Sequence, residues 1–256
     1  MHIDVISIFP ELFPAFLSTS LLGRAVDNGL LEVAVHDLRD FTQDKHRVVD
    51  DEPYGGGGGM VMTAEPWLRA VERVSAGEAP HRILLSPQGR RLDDARVRQL
   101  ATMPRLLLMC GRYEGLDERV LDLVVDEEVS VGDFVLSGGE VPAMALIEAL
   151  SRQVPGVVGL PDSVDNDSFR HGLLDHPHYT RPRSVGGLEV PAALLSGDHA
   201  AIESWRRRAS LAATLAKRPG LLQGLELDLE QQQWLAEIRR EGESAAVVVA
   251  PDAEDE

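Results

Sequence analysis

The stretch RLLLMCGRYEGLDERV, Arg105–Val120, decides the fold. Its first six residues are almost continuously apolar, with no alternation. Such a run reads as a strand buried on both faces, which is the signature of a parallel sheet covered on each side. A glycine-containing loop follows, and then a helical pattern from Asp117 onward. Upstream, HRILLS (His81–Ser86) is a second short buried strand, and DDARVRQLATM (Asp93–Met103) is a helix. Downstream, VDEEVSVGDFVLSGGE (Val125–Glu140) mixes strand and loop. VPAMALIEALSRQV (Val141–Val154) is a helix that tolerates Pro142 in its first turn and stops before Pro155.

The same alternation extends to the N-terminus. HIDVISIF (His2–Phe9) alternates and is rich in β-branched residues, so it predicts a strand. PELFPAFL and SLLGRAVDNG predict short helices, the second closed by Gly29. LLEVAVHDL (Leu30–Leu38) is strand-like. TAEPWLRAVERVSAG predicts a helix with Thr63 as its N-cap and Pro66 in its first turn. Strands alternating with helices imply an α/β domain on a parallel sheet over residues 1–160. Residues 161–176 read as a flexible linker, polar and without period. Residues 177–240 read as a small all-α domain, and 241–256 as an acidic, disordered tail.

Composition sets the outer bounds. Of 256 residues, 44% are hydrophobic and 26% charged, as in ordinary globular proteins. No apolar run approaches the ~18 residues of a membrane span. The first residues carry acids and no basic cluster, unlike a signal peptide. Cys110 is the only cysteine, so no internal disulfide can form, and a reducing cytoplasm is expected. Its apolar setting predicts a buried, inert thiol.

The net charge of −17 argues against a nucleic-acid partner until its distribution is examined. After Gly220 there are ten acids against two bases, whereas Asp165–Gly220 carries eight Lys/Arg against six acids. A basic strip lies inside an acidic protein, so a polyanionic ligand is not excluded.

Three loops end buried strands of the first domain: LSPQGR (Leu85–Arg90), LMCGRYEG (Leu108–Gly115) and SVGDFVLSGGE (Ser130–Glu140). Open parallel sheets bind ligands at the C-terminal ends of their strands. Walls made of backbone N–H and C=O suit a small ligand with a flat polar edge, such as adenine. A fourth glycine-rich stretch, DEPYGGGGGM (Asp51–Met60), fits no phosphate cradle. The chain contains no Gly-Lys pair for a P-loop, and the strip lacks the last glycine of a dinucleotide fingerprint. It lies inside a domain, flanked by Tyr54 and Met60, so a plain linker is a poor account of it.

PYGGGGGMVM, LSPQGR, CGRYEGLDERV, GDFVLSGGE, SRQVPGVVG, NDSF and GLLDHPHYTRP occur in that order. Together they resemble the bacterial tRNA (guanine-N1)-methyltransferases of the SPOUT class, the TrmD family, from about Met1 to Arg240. Phe134 stands where many relatives carry Tyr, Gly58 occupies a variable position, and the acidic tail has no family role. The resemblance implies a deep trefoil knot in the first domain and S-adenosylmethionine bound in a bent shape by the knot loops. Carried over, the cofactor-binding residues are Leu85 and Pro87 from the first loop and Gly111 and Glu114 from the second. The third loop contributes Val131, Gly132, Asp133, Phe134, Val135, Leu136, Gly138 and Gly139. The family works as homodimers, with active sites built from both chains, and its reaction favours Mg²⁺.

The implied reaction moves a methyl group to N1 of the guanosine immediately 3′ of the anticodon, and the N1 proton must leave. The resemblance makes Asp167 of NDSF the general base and Arg152 of SRQVPG its catalytic partner. Taken alone, Asp167 is one of 42 acids and reads as an exposed loop residue, and Arg152 as a cation at a helix C-terminus. An ordinary Asp titrates near ~3.9 and guanine N1 near roughly 9, so full proton transfer is uphill by about 7 kcal/mol. Burial of Asp167 and a donor at guanine O6, Arg152, both relieve that difference.

Substrate contacts are expected from Tyr54, Gly57 and Gly59 of a mobile glycine flap, and from Ser168 beside the base. His178, Arg181 and Arg183 of HPHYTRPR, and Arg206, Arg207 and Arg208 of SWRRRAS, are expected to meet RNA phosphate. Three consecutive arginines cannot share one helical face, so one or two meet phosphate while another is solvated. His176 and His178 alone lack the third and fourth ligands of a metal site, so no metal is assigned. Two other readings keep parts of this account: a related methyltransferase acting on a different RNA base, and a non-catalytic RNA-binding module.

Overall fold

In the computed structural model, residues 1–159 and 167–249 are described, with side chains up to residue 241. Residues 160–166, six of them in the expected linker, lie outside the described residues. The chain divides into two compact units, Met1–Val164 and Asp165–Glu256.

In the first unit five parallel strands are ordered β2–β1–β6–β5–β7. They are β1 (His2–Ser7), β2 (Glu32–Asp37), β5 (His81–Arg91), β6 (Arg105–Cys110) and β7 (Glu127–Ser130). The helices are α1 (Phe13–Leu17), α2 (Ser20–Asp27), α3 (Ala64–Val74), α4 (Asp94–Ala101), α5 (Glu118–Val124) and α6 (Glu140–Ser151). Residues of β6 alternate between two cores. Leu106, Leu108 and Cys110 join a cluster with Leu22 of α2, Leu100 of α4 and Leu146 of α6. Leu107 and Met109 join another with Trp67 and Val71 of α3 and Val120 of α5. Coverage on both faces is why the β6 sequence shows no alternation.

Three local expectations change. The alternation in β1 does not expose one face, because Asp4 and Ser7 are buried along with their apolar neighbours. Asp4 instead accepts hydrogen bonds from Arg105 (Nη2, 2.8 Å) and His36 (Nε2, 2.8 Å). Strand β5 does not stop at Ser86 but rejoins the ladder at Arg90. Thr63 holds the N-cap position of α3, yet its hydroxyl donates to the Val49 carbonyl (3.2 Å) and not to the helix.

Strand order positions the ligand crevice. The chain passes from β5 to β6 on one side, then steps over β5 to β7 on the other. The C-terminal ends of three strands therefore stand side by side at a topological switch point.

The second unit contains α7 (His199–Lys217) and α8 (Leu229–Val249). Asp198 caps α7 by accepting from the Ala200 and Ala201 N–H groups. The unit is not purely helical, since β8 (Ser184–Val185) and β9 (Leu188–Glu189) form a small antiparallel hairpin. Gly186 and Gly187 supply its two-residue turn with φ of +59° and +82°. Helix α8 continues to Val249, nine residues into the stretch expected to be a tail. The stretch offers no proline before Pro251 to stop it. Among the described residues, no helix is long and apolar enough to cross a membrane.

Candidate active site

The three loops at the switch point enclose a cavity of ≈ 290 Å³. Leu85, Pro87, Gly111, Glu114, Val131, Gly132, Phe134, Val135, Leu136, Gly138 and Gly139 all line it. Asp133 does not: its side chain is 88% exposed and faces Arg91 at 3.6 Å. The first wall is a bulge in β5. Leu85 and Arg90 both register with Val129 of β7, so Ser86–Gly89 are pushed out of the ladder and Ser86, Pro87 and Gln88 line the cavity.

The second and third loops are tied together by backbone. Gly139 donates its N–H to the Gly111 carbonyl (2.9 Å), and Arg112 and Gly138 form an antiparallel bridge. A Cβ on Gly139 would stand 2.7 Å from the Cα of Cys110, closer than real Cβ atoms come. Only glycine lets these two chains meet, which leaves backbone groups as the cavity wall.

A buried ion pair, absent from the sequence analysis, underlies this junction. Arg112 Nε lies 2.9 Å from Glu140 Oε2, and the Ser7 hydroxyl donates to Glu140 Oε1 at 2.7 Å. The Arg112 guanidinium also stands 4.5 Å over the Phe9 ring. Burial, aided by the Glu140 charge, pushes the Cys110 thiol well above its usual range, so it is not a nucleophile. Glu140 ends one quoted motif and Arg112 stands third in another, but nothing in their spacing signals that they meet.

The glycine strip is the loop of a ribbon, β3 (Asp50–Asp51) paired antiparallel with β4 (Val61–Met62). Its outgoing end is stitched to the second cavity loop. Glu114 donates its N–H to the Met60 carbonyl (3.0 Å), and Met62 donates to Gly115 (2.9 Å). Gly59, at φ +89°, lies against Glu114, where a Cβ would come within 2.4 Å of Oε1. Gly58 alone of the five has no positive φ, and a Cβ there meets nothing within 4 Å. Gly57 and Tyr54 are exposed, Tyr54 fully.

Arg152 is the C-cap residue of α6, where a cation faces the helix's negative end. In the helical unit, Asp167 lines a second cavity of ≈ 300 Å³ with His171, Asp175, His176, Glu203 and Arg206. Ser168 does not line that space; its Oγ accepts the Asp175 N–H at 2.9 Å. His178 pairs with Asp175, Arg183 faces Glu189 at 3.4 Å, and Arg181 is exposed before Pro182. The three arginines of α7 divide. Arg207 pairs with Asp228 and Glu230 and stands 5.5 Å over the Trp234 ring; Arg208 pairs with Glu237 and Glu241. Arg206 lies at the cavity with no ion pair among the described residues. The helix-to-helix pairing of Arg207 and Arg208 depends on acids more than 20 residues away, so sequence spacing gave no sign of it.

Comparison with known proteins places the sequence in one family. The family model described as tRNA (Guanine-1)-methyltransferase TrmD matches residues 1–224. A Pectobacterium carotovorum protein named tRNA (guanine-N(1)-)-methyltransferase is 54% identical over 246 residues, covering 95% of this chain and 98% of that protein. Proteins of the same name from Escherichia fergusonii and Escherichia coli O81 are each 54% identical over 243 residues, covering 94% of this chain and 95% of theirs. The motifs that build the cavity lie inside the matched region, and the likeness runs through nearly the whole of both chains. This chain therefore belongs to the tRNA (guanine-1)-methyltransferase family.

Proposed function

We propose that this protein transfers a methyl group from S-adenosylmethionine to N1 of the guanosine immediately 3′ of the anticodon in tRNA. The observation that carries this reading is the convergence of three glycine-rich loops on one cavity at the switch point of a family member's sheet. When bound, S-adenosylmethionine supplies an electrophilic methyl on a sulfonium. The backbone of Leu85–Gln88, Gly111–Glu114 and Val131–Gly139 would hold it, and the enforced glycine at 139 fits a ligand read by main-chain groups.

In this reading Asp167 takes the N1 proton as the methyl is transferred, and Arg152 stabilises the charge that develops on guanine O6. Burial of Asp167 on substrate binding would desolvate it and raise its basicity. The glycine ribbon closes over the substrate, anchored at Gly59 and free at Tyr54. The working unit is a cytoplasmic homodimer with knotted first domains and active sites built from both chains, and Mg²⁺ supports the reaction.

The test is methyl transfer from labelled S-adenosylmethionine to two tRNA transcripts that differ only by G or A immediately 3′ of the anticodon. Labelling of the G transcript alone is expected. Equal labelling would move the target to another base, and cofactor binding without labelling would leave an RNA-binding module. Asp167→Asn is then expected to keep tRNA binding while losing ~10²–10⁴ in turnover.

A further inference from the structure

From sequence, His176 and His178 lack a third ligand for a metal, and the fold supplies one. Asp175, His176 and His178 each bring a donor atom within 4.8 Å of the other two. His178 Nε2 lies 2.9 Å from Asp175 Oδ2, and His176 Nε2 lies 3.8 Å from Asp175 Oδ1. The two imidazole centroids are 4.4 Å apart.

The informative detail is the other nitrogen of His176. Nδ1 is 3.2 Å from the Pro177 carbonyl oxygen. A carbonyl oxygen only accepts, so Nδ1 carries the ring hydrogen. In the neutral ring, the Nε2 lone pair then faces the Asp175 carboxylate across a gap too long for a hydrogen bond. In that state two electron-pair donors face each other, and either a proton on Nε2 or a metal cation between them satisfies both. A backbone carbonyl on the distal nitrogen is also the outer partner that metal-bound histidines usually have.

The ligands are held in place. Asp175 Oδ1 accepts the His176 N–H at 2.7 Å, and Ser168 Oγ accepts the Asp175 N–H. His176 packs edge-on against Trp205, with centroids 6.2 Å apart.

We propose that Asp175, His176 and His178 bind a late first-row divalent ion, best matched by Zn²⁺, with His176 coordinating through Nε2. Two imidazoles and one carboxylate suit zinc, whereas Mg²⁺ prefers an all-oxygen shell. Metal–ligand bonds of ~2.0–2.2 Å need the donors to draw together, and the exposed His178 ring is free to turn in. His178 exchanges its hydrogen bond to Asp175 for a metal bond, and binding releases any proton on its Nε2. Three protein ligands leave a fourth position for water or an anionic oxygen such as an RNA phosphate. Asp175 and His176 also line the cavity that Asp167 lines, so the ion sits in the wall of that cavity.

The metal can be measured without tRNA or cofactor, so this inference and the methyl-transfer reading fail separately. The full-length chain is stripped of metal and titrated with Zn²⁺ against a chromophoric zinc indicator, with and without excess Mg²⁺. Bound metal is counted by mass spectrometry after gel filtration. One zinc per chain, undisturbed by Mg²⁺, is expected. His176→Ala, His178→Ala and Asp175→Asn should each weaken binding at least about tenfold, while His46→Ala in the first unit leaves it unchanged. His178 is 71% exposed, so His178→Ala should stay folded, which a thermal melt checks. A stripped protein that takes up no stoichiometric zinc overturns the proposal, and so does stoichiometric binding untouched by His178→Ala.

Discussion

Arg112 reaches from the end of β6 to Glu140 at the start of α6, with Nε 2.9 Å from a carboxylate that is 1% exposed. Removing one partner leaves the other charge with little water to replace it. Arg112→Ala is expected to destabilise the fold by about 3 kcal/mol, the lower end for a buried pair because the arginine keeps some solvent. Arg112→Met combined with Glu140→Gln should recover part of that loss. Urea unfolding of Arg112→Met, Glu140→Gln and the double variant measures the coupling, and strict additivity would contradict it.

The glycine strip makes a prediction by contrast. Gly59→Ala places a Cβ against Glu114 in a left-handed backbone and should cost ~1–3 kcal/mol. Gly58→Ala should stay within ~0.5 kcal/mol, because its backbone is ordinary and its surroundings are open. Methyl-transfer kcat/KM should fall for the first variant and hold for the second. If both behave alike, the strip is not anchored at Gly59.

Asp4 predicts an acid limit to stability. Burial raises its pKa, but hydrogen bonds from His36 and Arg105, with the nearby charges of His2 and Arg105, outweigh it and hold the carboxyl below its usual range. A depressed folded value means the stabilisation is complete above the unfolded pKa of about 3.9 and fades as the pH falls through the folded value. Asp4→Asn should lower stability at neutral pH and flatten the loss of stability below about pH 4. Equilibrium unfolding from pH 3 to pH 7 tests this, and parallel pH curves for the two proteins would refute it.

The arginines of α7 should separate in RNA binding. Arg208 is already neutralised by Glu237 and Glu241, whereas Arg206 makes no ion pair among the described residues. Arg206→Ala should weaken tRNA binding and reduce the slope of log affinity against log salt by about 1, and Arg208→Ala should change it less. Filter binding over a KCl series reads both. The reverse order would place the phosphate on the other face of the helix.

What the sequence made legible follows from the range of the interactions. The unbroken apolar run of β6 announced a strand covered twice, and each loop glycine marked a turn at its end. The second half of β5 was hidden because Pro87 and Gly89 read as loop, and only pairing with β7 brings Arg90 back into the ladder. Arg112 and Glu140 are 28 positions apart, and Asp4 and Arg105 are 101 apart. Contacts at such separations leave no periodic trace. Asp175 carries no metal signal in the sequence for a simpler reason: its carboxylate joins the histidines only through the local turn that also engages Ser168. The placement of Asp167 among basic and imidazole side chains likewise depends on how α7 packs under that turn.

The interruption of β5 has a thermodynamic consequence. Both ends of Ser86–Gly89 are fixed on one residue of β7, so the entropy of closing this loop is spent when the sheet forms and not when a ligand arrives. Affinity gained at this wall therefore carries little ordering cost. Ser86–Gln88 can also vary in shape and chemistry without shifting the register of any strand, while Gly89 stays glycine because a Cβ there would stand 2.4 Å from the Glu128 backbone. The recognition surface and the scaffold are mechanically decoupled there, and a ligand that exploits Ser86–Gln88 would meet a rigid, independently mutable edge.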